Sequence, residues 1–115
     1  MADAKLYDLS FLNKISGGDV SFIKEMISTF RQVAPDYIKK SGEYYKAGNI
    51  DSLSKETHRF IPGVSFLGAK PLEEDLLKLE EYTKKIINMD QVPGLLESVY
   101  TKIENLLREF DNDFQ

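Results

Sequence analysis

The chain contains no cysteine and only one histidine among its 115 residues. The absence of cysteine excludes disulfide bonds, zinc fingers and iron–sulfur ligation, and it is compatible with a reducing cytoplasm, where we expect the protein to reside. A single histidine excludes the di-iron site of four-helix bundles, which takes a Glu-x-x-His pair from each of two helices. A c-type haem is excluded as well, because it needs a Cys-x-x-Cys-His motif.

Long apolar runs and clustered basic residues are also missing. No apolar run approaches ~18 residues, so we expect no transmembrane helix and no membrane partner. The net charge of −4 argues against nucleic acid as a partner, because phosphate binding needs clustered Lys and Arg. With 42% hydrophobic and 30% charged residues, the chain is typical of one globular domain over residues 1–115.

Apolar residues recur at helical spacing, and no strand-like alternation stands out. We predict a short helix that Asp8 caps and Gly17-Gly18 ends. A long second helix follows, capped by Asp19, kinked at Pro35 and ended by Gly48.

A third helix is predicted to start within residues 49–51 and to close at Gly68. The fourth starts near Pro71, and a fifth segment with Pro93 near its start follows residues 88–90. Four long helices with short connections favour an all-α, antiparallel up-down four-helix bundle with the short first helix as an N-terminal cover.

The predicted core follows one apolar stripe on each helix. Its residues are Leu9, Leu12, Ile23, Met26, Ile27, Phe30, Val33, Tyr37, Ile38, Tyr45, Ile50, Leu53, Thr57, Phe60, Val64, Leu67, Leu72, Leu76, Leu79, Ile86, Val92, Leu95, Leu96, Val99, Ile103, Leu106 and Phe110. The acidic runs at 73–75 and 80–81 flank buried leucines, so we interpret them as a solvated helix face and not as a cation site.

The third helix carries His58 shortly before Pro62-Gly63. Proline at 62 removes the amide that would bond to the carbonyl of His58, and an interior proline costs a helix ~3 kcal/mol. The apolar pattern continues through both residues, so we predict that the helix does too. At about 100° per residue, His58 points roughly 130° away from the core stripe and should be exposed.

Apolar and small side chains surround this imidazole where long charged ones would be expected: Ile61, Pro62, Ser65 and Phe66. They either form a docking surface or lie under a neighbouring helix. A backbone weakened next to one reactive side chain favours a functional role for His58.

This arrangement resembles a histidine-containing phosphotransfer (HPt) domain, the phosphocarrier of multistep two-component phosphorelays. The family pattern is His-x-x-Lys-Gly or His-x-x-Lys-Pro, followed by an apolar residue, Gly and Ala. The sequence matches it at His58, Pro62, Leu67, Gly68 and Ala69. Further similarity lies in residues 7–12, 17–19 and 76–80 and at Phe30 and Pro35, so the resemblance covers nearly the whole chain.

One position departs from the family pattern. The family's lysine three residues after the histidine is thought to stabilise the phosphoryl group, and Ile61 stands in its place. An ammonium would offset the charge of a phosphohistidine, which isoleucine cannot do. The candidates for replacing this charge are Lys55, one turn before His58, and Arg59, beside it, and helix geometry favours Lys55.

The resemblance implies that His58 is a phosphoacceptor. It would attack the aspartyl phosphate of a receiver domain and pass the group to the aspartate of a second receiver. Mg²⁺ would belong to the receiver, and the chain would need no metal or cofactor of its own. It would be a carrier without autokinase activity, with response-regulator receivers and a hybrid histidine kinase as partners. The expected docking surface comprises Phe22, Met26, Ile61, Pro62, Ser65 and Phe66.

Two other interpretations stay open. The domain could be an HPt-like interaction module that binds a receiver or kinase domain without phosphotransfer, and the loss of lysine at position 61 is what this interpretation predicts. It could also be an unrelated helical bundle that self-associates through the same exposed apolar residues. The carrier, in contrast, is expected to be a monomer.

Overall fold

The computed structural model describes residues 6–114. Its helices are α1 (Ser10–Ser16), α2 (Val20–Lys46), α3 (Ile50–Phe66), α4 (Lys70–Lys85) and α5 (Val92–Asp113), and a 3-10 turn (Met89–Gln91) precedes α5. No strand occurs within residues 6–114, so the predicted all-α class is confirmed for this part of the chain. Within the same residues, no helix is both long and apolar enough to cross a bilayer.

The starts of α2 and α3 follow from their capping side chains, as predicted. The Asp19 carboxylate accepts hydrogen bonds from the backbone amides of Ser21 and Phe22, at 3.0 and 3.3 Å. The side-chain oxygen of Asn49 accepts one from the amide of Ser52, at 3.2 Å. Each cap satisfies amides in the first helical turn that no helical carbonyl can reach.

Both interior prolines lie within continuous helices. α2 runs through Pro35 and α3 runs through Pro62 and Gly63 to Phe66, as the apolar pattern predicts. Residues on both sides of Pro62, such as Phe60 and Val64, are buried in the same core. Burial of this face offsets the lost backbone hydrogen bond, so the helix continues where its local sequence disfavours it.

The core is largely the predicted one. Two predicted core residues are exposed, however: Val33 at 45% and Ile86 at 61%. The next residue after Val33, Ala34, takes the buried position in α2, and Ile86 lies just past the end of α4 with a left-handed backbone (φ 53°) that turns it outward. Six more predicted residues are only partly buried: Leu9, Met26, Ile38, Tyr45, Ile50 and Leu95.

Stacked rings and buried hydroxyl pairs join the helices around this core. Tyr37 of α2 stacks on Phe60 of α3, with ring centroids 4.4 Å apart and planes 4° from parallel. The Tyr37 hydroxyl shares a 2.8 Å hydrogen bond with that of Thr57, and burial raises the pKa of Tyr37. Ser41 of α2 and Tyr100 of α5 share another hydrogen bond of 2.8 Å. The two contacts of Tyr37 fix α3 against α2 and therefore fix the orientation of the α3 face that carries His58.

The amino-terminal segment is tied to the turn between α3 and α4. The amide of Asp8 donates to the carbonyl of Leu67 at 3.0 Å, and hydrogen bonds from Ser10 to the Asp8 carboxylate lower its pKa. Gly68 ends α3 with φ 65°, the left-handed residue that the sequence predicts. A Cβ at Gly68 would lie 2.2 Å from the carbonyl oxygen of Asp8, so only glycine allows this approach.

Candidate functional site

His58 lies in the middle of α3 with 74% of its side chain exposed, as the helical geometry predicts. Its Nδ1 lies 2.5 Å from Oε2 of Glu80, a residue of α4 whose side chain is only 20% exposed. The exposed ring is therefore held on one edge by a largely buried carboxylate from the neighbouring helix.

This contact determines which ring nitrogen can react. An ionised carboxylate can only accept a hydrogen bond, so this contact favours the form of the ring that carries its proton on Nδ1. In the neutral ring, Nε2 then keeps its lone pair, because only one nitrogen carries hydrogen in that form. The arrangement presents Nε2 of His58 to solvent as a nucleophile, with a carboxylate behind the ring.

A groove of about 370 Å³ surrounds His58 between α3 and α4. The residues that line it all have polar or charged side chains, and the charges are of both signs. The lining residues are Asp51, Ser54, Lys55, His58, Arg59, Glu80 and Lys84. The groove could accept a small charged group such as a phosphoryl group, and three cations reach it.

The two predicted phosphoryl-stabilising residues line this groove, but each already has a carboxylate partner. Lys55 Nζ lies 3.0 Å from Oδ2 of Asp51, one turn earlier in α3. Arg59 Nη2 lies 2.6 Å from Oε1 of Glu56. Both cations are largely exposed, so these ion pairs contribute little to stability, but each partly neutralises the cation it holds.

The six predicted docking residues are found in two kinds of environment. Pro62, Ser65 and Phe66 are exposed, whereas Phe22, Met26 and Ile61 are partly buried and pack against the main core. Ile61 therefore has a packing role in addition to its partial exposure, which explains why an apolar residue suits this position.

A second groove lies between α2 and α3 on the apolar side of His58. Its volume is about 190 Å³, and it is lined by Met26, Thr29, Phe30, Val33, Arg59, Phe60 and Gly63. Arg59 lines both grooves, so the polar groove and the apolar groove meet beside His58.

At the far end of α3, Phe66 is partly covered. Phe11 of α1 stacks on it, with centroids 5.7 Å apart and planes 8° from parallel. Phe11 itself is 49% exposed, so the apolar surface continues from α3 onto α1 instead of ending at Phe66. Sequence reasoning assigned no role to Phe11, because nothing local indicates that α1 folds back onto the end of α3.

Sequence reasoning missed the roles of Glu80 and Lys84. The prediction of a solvated helix face at 80–81 is wrong for Glu80, whose side chain is only 20% exposed and contacts His58. The spacing of four residues between Glu80 and Lys84 places them on one face of α4 and was the only available signal. The register of α4 against α3 cannot be predicted from local sequence patterns. Within residues 6–114, no three His, Asp or Glu side chains come together in a way that could hold a metal ion.

Comparison with protein families, with curated proteins and with solved structures finds no match to this chain. The candidate site consists of an exposed imidazole, a carboxylate in contact with its Nδ1, a groove with charges of both signs on one side and an apolar groove on the other.

Proposed function

We propose that this chain is a phosphoryl carrier of the HPt type, in which His58 accepts a phosphoryl group from the aspartyl phosphate of a receiver domain and passes it to another receiver. The observation that carries the proposal is the His58–Glu80 contact. An exposed imidazole whose Nδ1 is held by a carboxylate has its Nε2 free for attack.

In the transfer step, the Nε2 lone pair attacks phosphorus in line with the bond to the aspartate. The N–P bond forms as the P–O bond breaks, and the electron pair leaves with the aspartate oxygen. The ring acquires positive charge, which the carboxylate of Glu80 offsets through the proton on Nδ1. The reverse sequence of bond changes transfers the group to the second receiver, and no net proton transfer is required.

The partner supplies the rest of the apparatus. Phosphoryl transfer depends mainly on positioning and on electrostatic stabilisation, for which the receiver's Mg²⁺ would be responsible. The docking surface would be the apolar side of His58, from Phe22 and Met26 across Ile61, Pro62 and Ser65 to Phe66, and we add Phe11 and Val33 to it. The chain would act as a cytoplasmic monomer.

We also propose that α2 to α5 form an antiparallel up-down bundle. The order of contacts along α3 and α4 supports this topology. His58 meets Glu80, whereas Ser54 and Asp51, earlier in α3, share a groove with Lys84, later in α4. This order of contacts is what an antiparallel arrangement of α3 and α4 would produce.

The proposal is tested by incubating the purified chain with a phosphorylated receiver and Mg²⁺. Acid-labile, alkali-stable label is expected on the wild type and not on His58→Gln. Absence of label from every receiver tried, at near-stoichiometric protein, would contradict the proposal.

A second candidate function is an interaction module that binds a receiver or kinase domain without phosphotransfer. Ile61 favours it, because this residue packs against the core where an HPt carrier has its lysine. Receiver affinity that does not change in His58→Ala, together with absence of label, would support this module over the carrier.

A further inference from the structure

We propose that Lys84 of α4 is the cation that binds the phosphoryl group once it is on His58. This inference rests on the proposed function and names a residue for it that lies on a different helix from the histidine. It starts from the charges that line the groove between α3 and α4.

The charge balance of the groove singles out Lys84. A phosphohistidine brings roughly two negative charges near neutral pH, comparable with other phosphoryl groups on side chains. Of the three cations in the groove, Lys55 is paired with Asp51 and Arg59 with Glu56. Lys84 forms no ion pair with any residue in the described part of the chain, so its ammonium is free to meet an incoming anion.

Helix geometry places Lys84 within reach of that anion. Glu80 touches the His58 ring, and Lys84 follows Glu80 by four residues on the same face of α4. Side chains with this spacing have their Cβ atoms about 5–6 Å apart, a distance that the flexible lysine side chain can span. One face of α4 would then contact both sides of the imidazole ring. Glu80 would hold Nδ1, and Lys84 would bind the phosphoryl group on Nε2.

Lys85 provides a matched control. It is adjacent in sequence and has the same charge, but it does not line the groove, and its ammonium lies 3.1 Å from Oε2 of Glu81. A general effect of net charge would appear equally in Lys84→Met and Lys85→Met, whereas a specific contact would appear only in the first.

The experiment uses phosphoramidate, a small phosphoryl donor that needs no receiver, to phosphorylate the full chain. The midpoint of the pH titration of the phosphohistidine ³¹P resonance reports a nearby cation, which favours the dianion. We expect this midpoint to rise by about half a pH unit in Lys84→Met and to stay within error of wild type in Lys85→Met. In Lys84→Arg, which keeps the positive charge, the midpoint should lie close to that of the wild type.

Equal midpoints in wild type and Lys84→Met would overturn the role of Lys84 and leave the carrier function intact. Absence of phosphohistidine at His58 from both phosphoramidate and a phosphorylated receiver would overturn the carrier function itself. The two failures are thus distinguishable in one set of samples.

Discussion

The contact between Glu80 and His58 yields a prediction that can be checked without any partner protein. Replacing Glu80 by alanine removes the acceptor that holds the proton on Nδ1. A hydrogen bond to a charged group contributes ~1.5–3 kcal/mol in a protected setting. The His58 side chain is 74% exposed, so solvent screening reduces this contribution to about 1 kcal/mol. That free energy corresponds to a change of roughly fivefold in the ratio of the two neutral tautomers.

The assay is ¹⁵N NMR of the ring nitrogens at a pH where the imidazole is neutral. We expect the ratio of Nδ1-protonated to Nε2-protonated ring to be roughly fivefold larger in the wild type than in Glu80→Ala. Glu81→Ala is the control, because Glu81 is adjacent but pairs with Lys85 instead of the histidine. The same tautomer ratio in Glu80→Ala as in Glu81→Ala would show that Glu80 does not hold the proton on Nδ1.

Three further predictions concern the scaffold, each measured as the free energy of unfolding by chemical denaturation. Gly68→Ala should lower the free energy of unfolding by at least ~2 kcal/mol more than Gly17→Ala does. The two glycines have similar φ angles, 65° and 67°, but only a Cβ at Gly68 would meet backbone, at 2.2 Å. Equal losses of stability in the two variants would contradict the clash. Tyr37→Phe should lower the free energy of unfolding by ~1–2 kcal/mol, because it leaves the fully buried Thr57 hydroxyl without its hydrogen-bond partner at 2.8 Å. An unchanged free energy of unfolding would show that this hydrogen bond does not stabilise the fold. Ile86→Gly should raise the free energy of unfolding by about 1 kcal/mol, because it removes a β-branched side chain from a left-handed backbone conformation (φ 53°). A lower free energy of unfolding would show that the exposed isoleucine has a packing role.

The helices were predictable because their signals are local. Asp19 and Asn49 cap α2 and α3 with their own side chains, and Gly68 takes the left-handed conformation that closes α3. The continuation of α3 through Pro62 was also predictable, since the spacing of buried residues on either side outweighs the local penalty.

The errors in the predicted core have local causes of a different kind. Val33 and Ala34 are both apolar, and hydrophobicity favours the valine although helical phase places the alanine inside. Ile86 continues the apolar spacing of α4, but the helix ends at Lys85, so the phase no longer applies to it.

Of the candidate site, the sequence predicted the parts that lie on α3. The exposure of His58 and the positions of Lys55 and Arg59 follow from the phase of one helix. The roles of Glu80 and Lys84 could not be predicted, because they depend on the register and orientation of α4 against α3. These are set by side-chain packing between the two helices.

The most direct test of the central claim is transfer of labelled phosphate from a phosphorylated receiver, with Mg²⁺, followed by assignment of the modified residue. We expect acid-labile label on Nε2 of His58, no label in His58→Gln, and transfer of the label to a second receiver. A chain that binds receivers tightly while His58 stays unmodified would contradict the account.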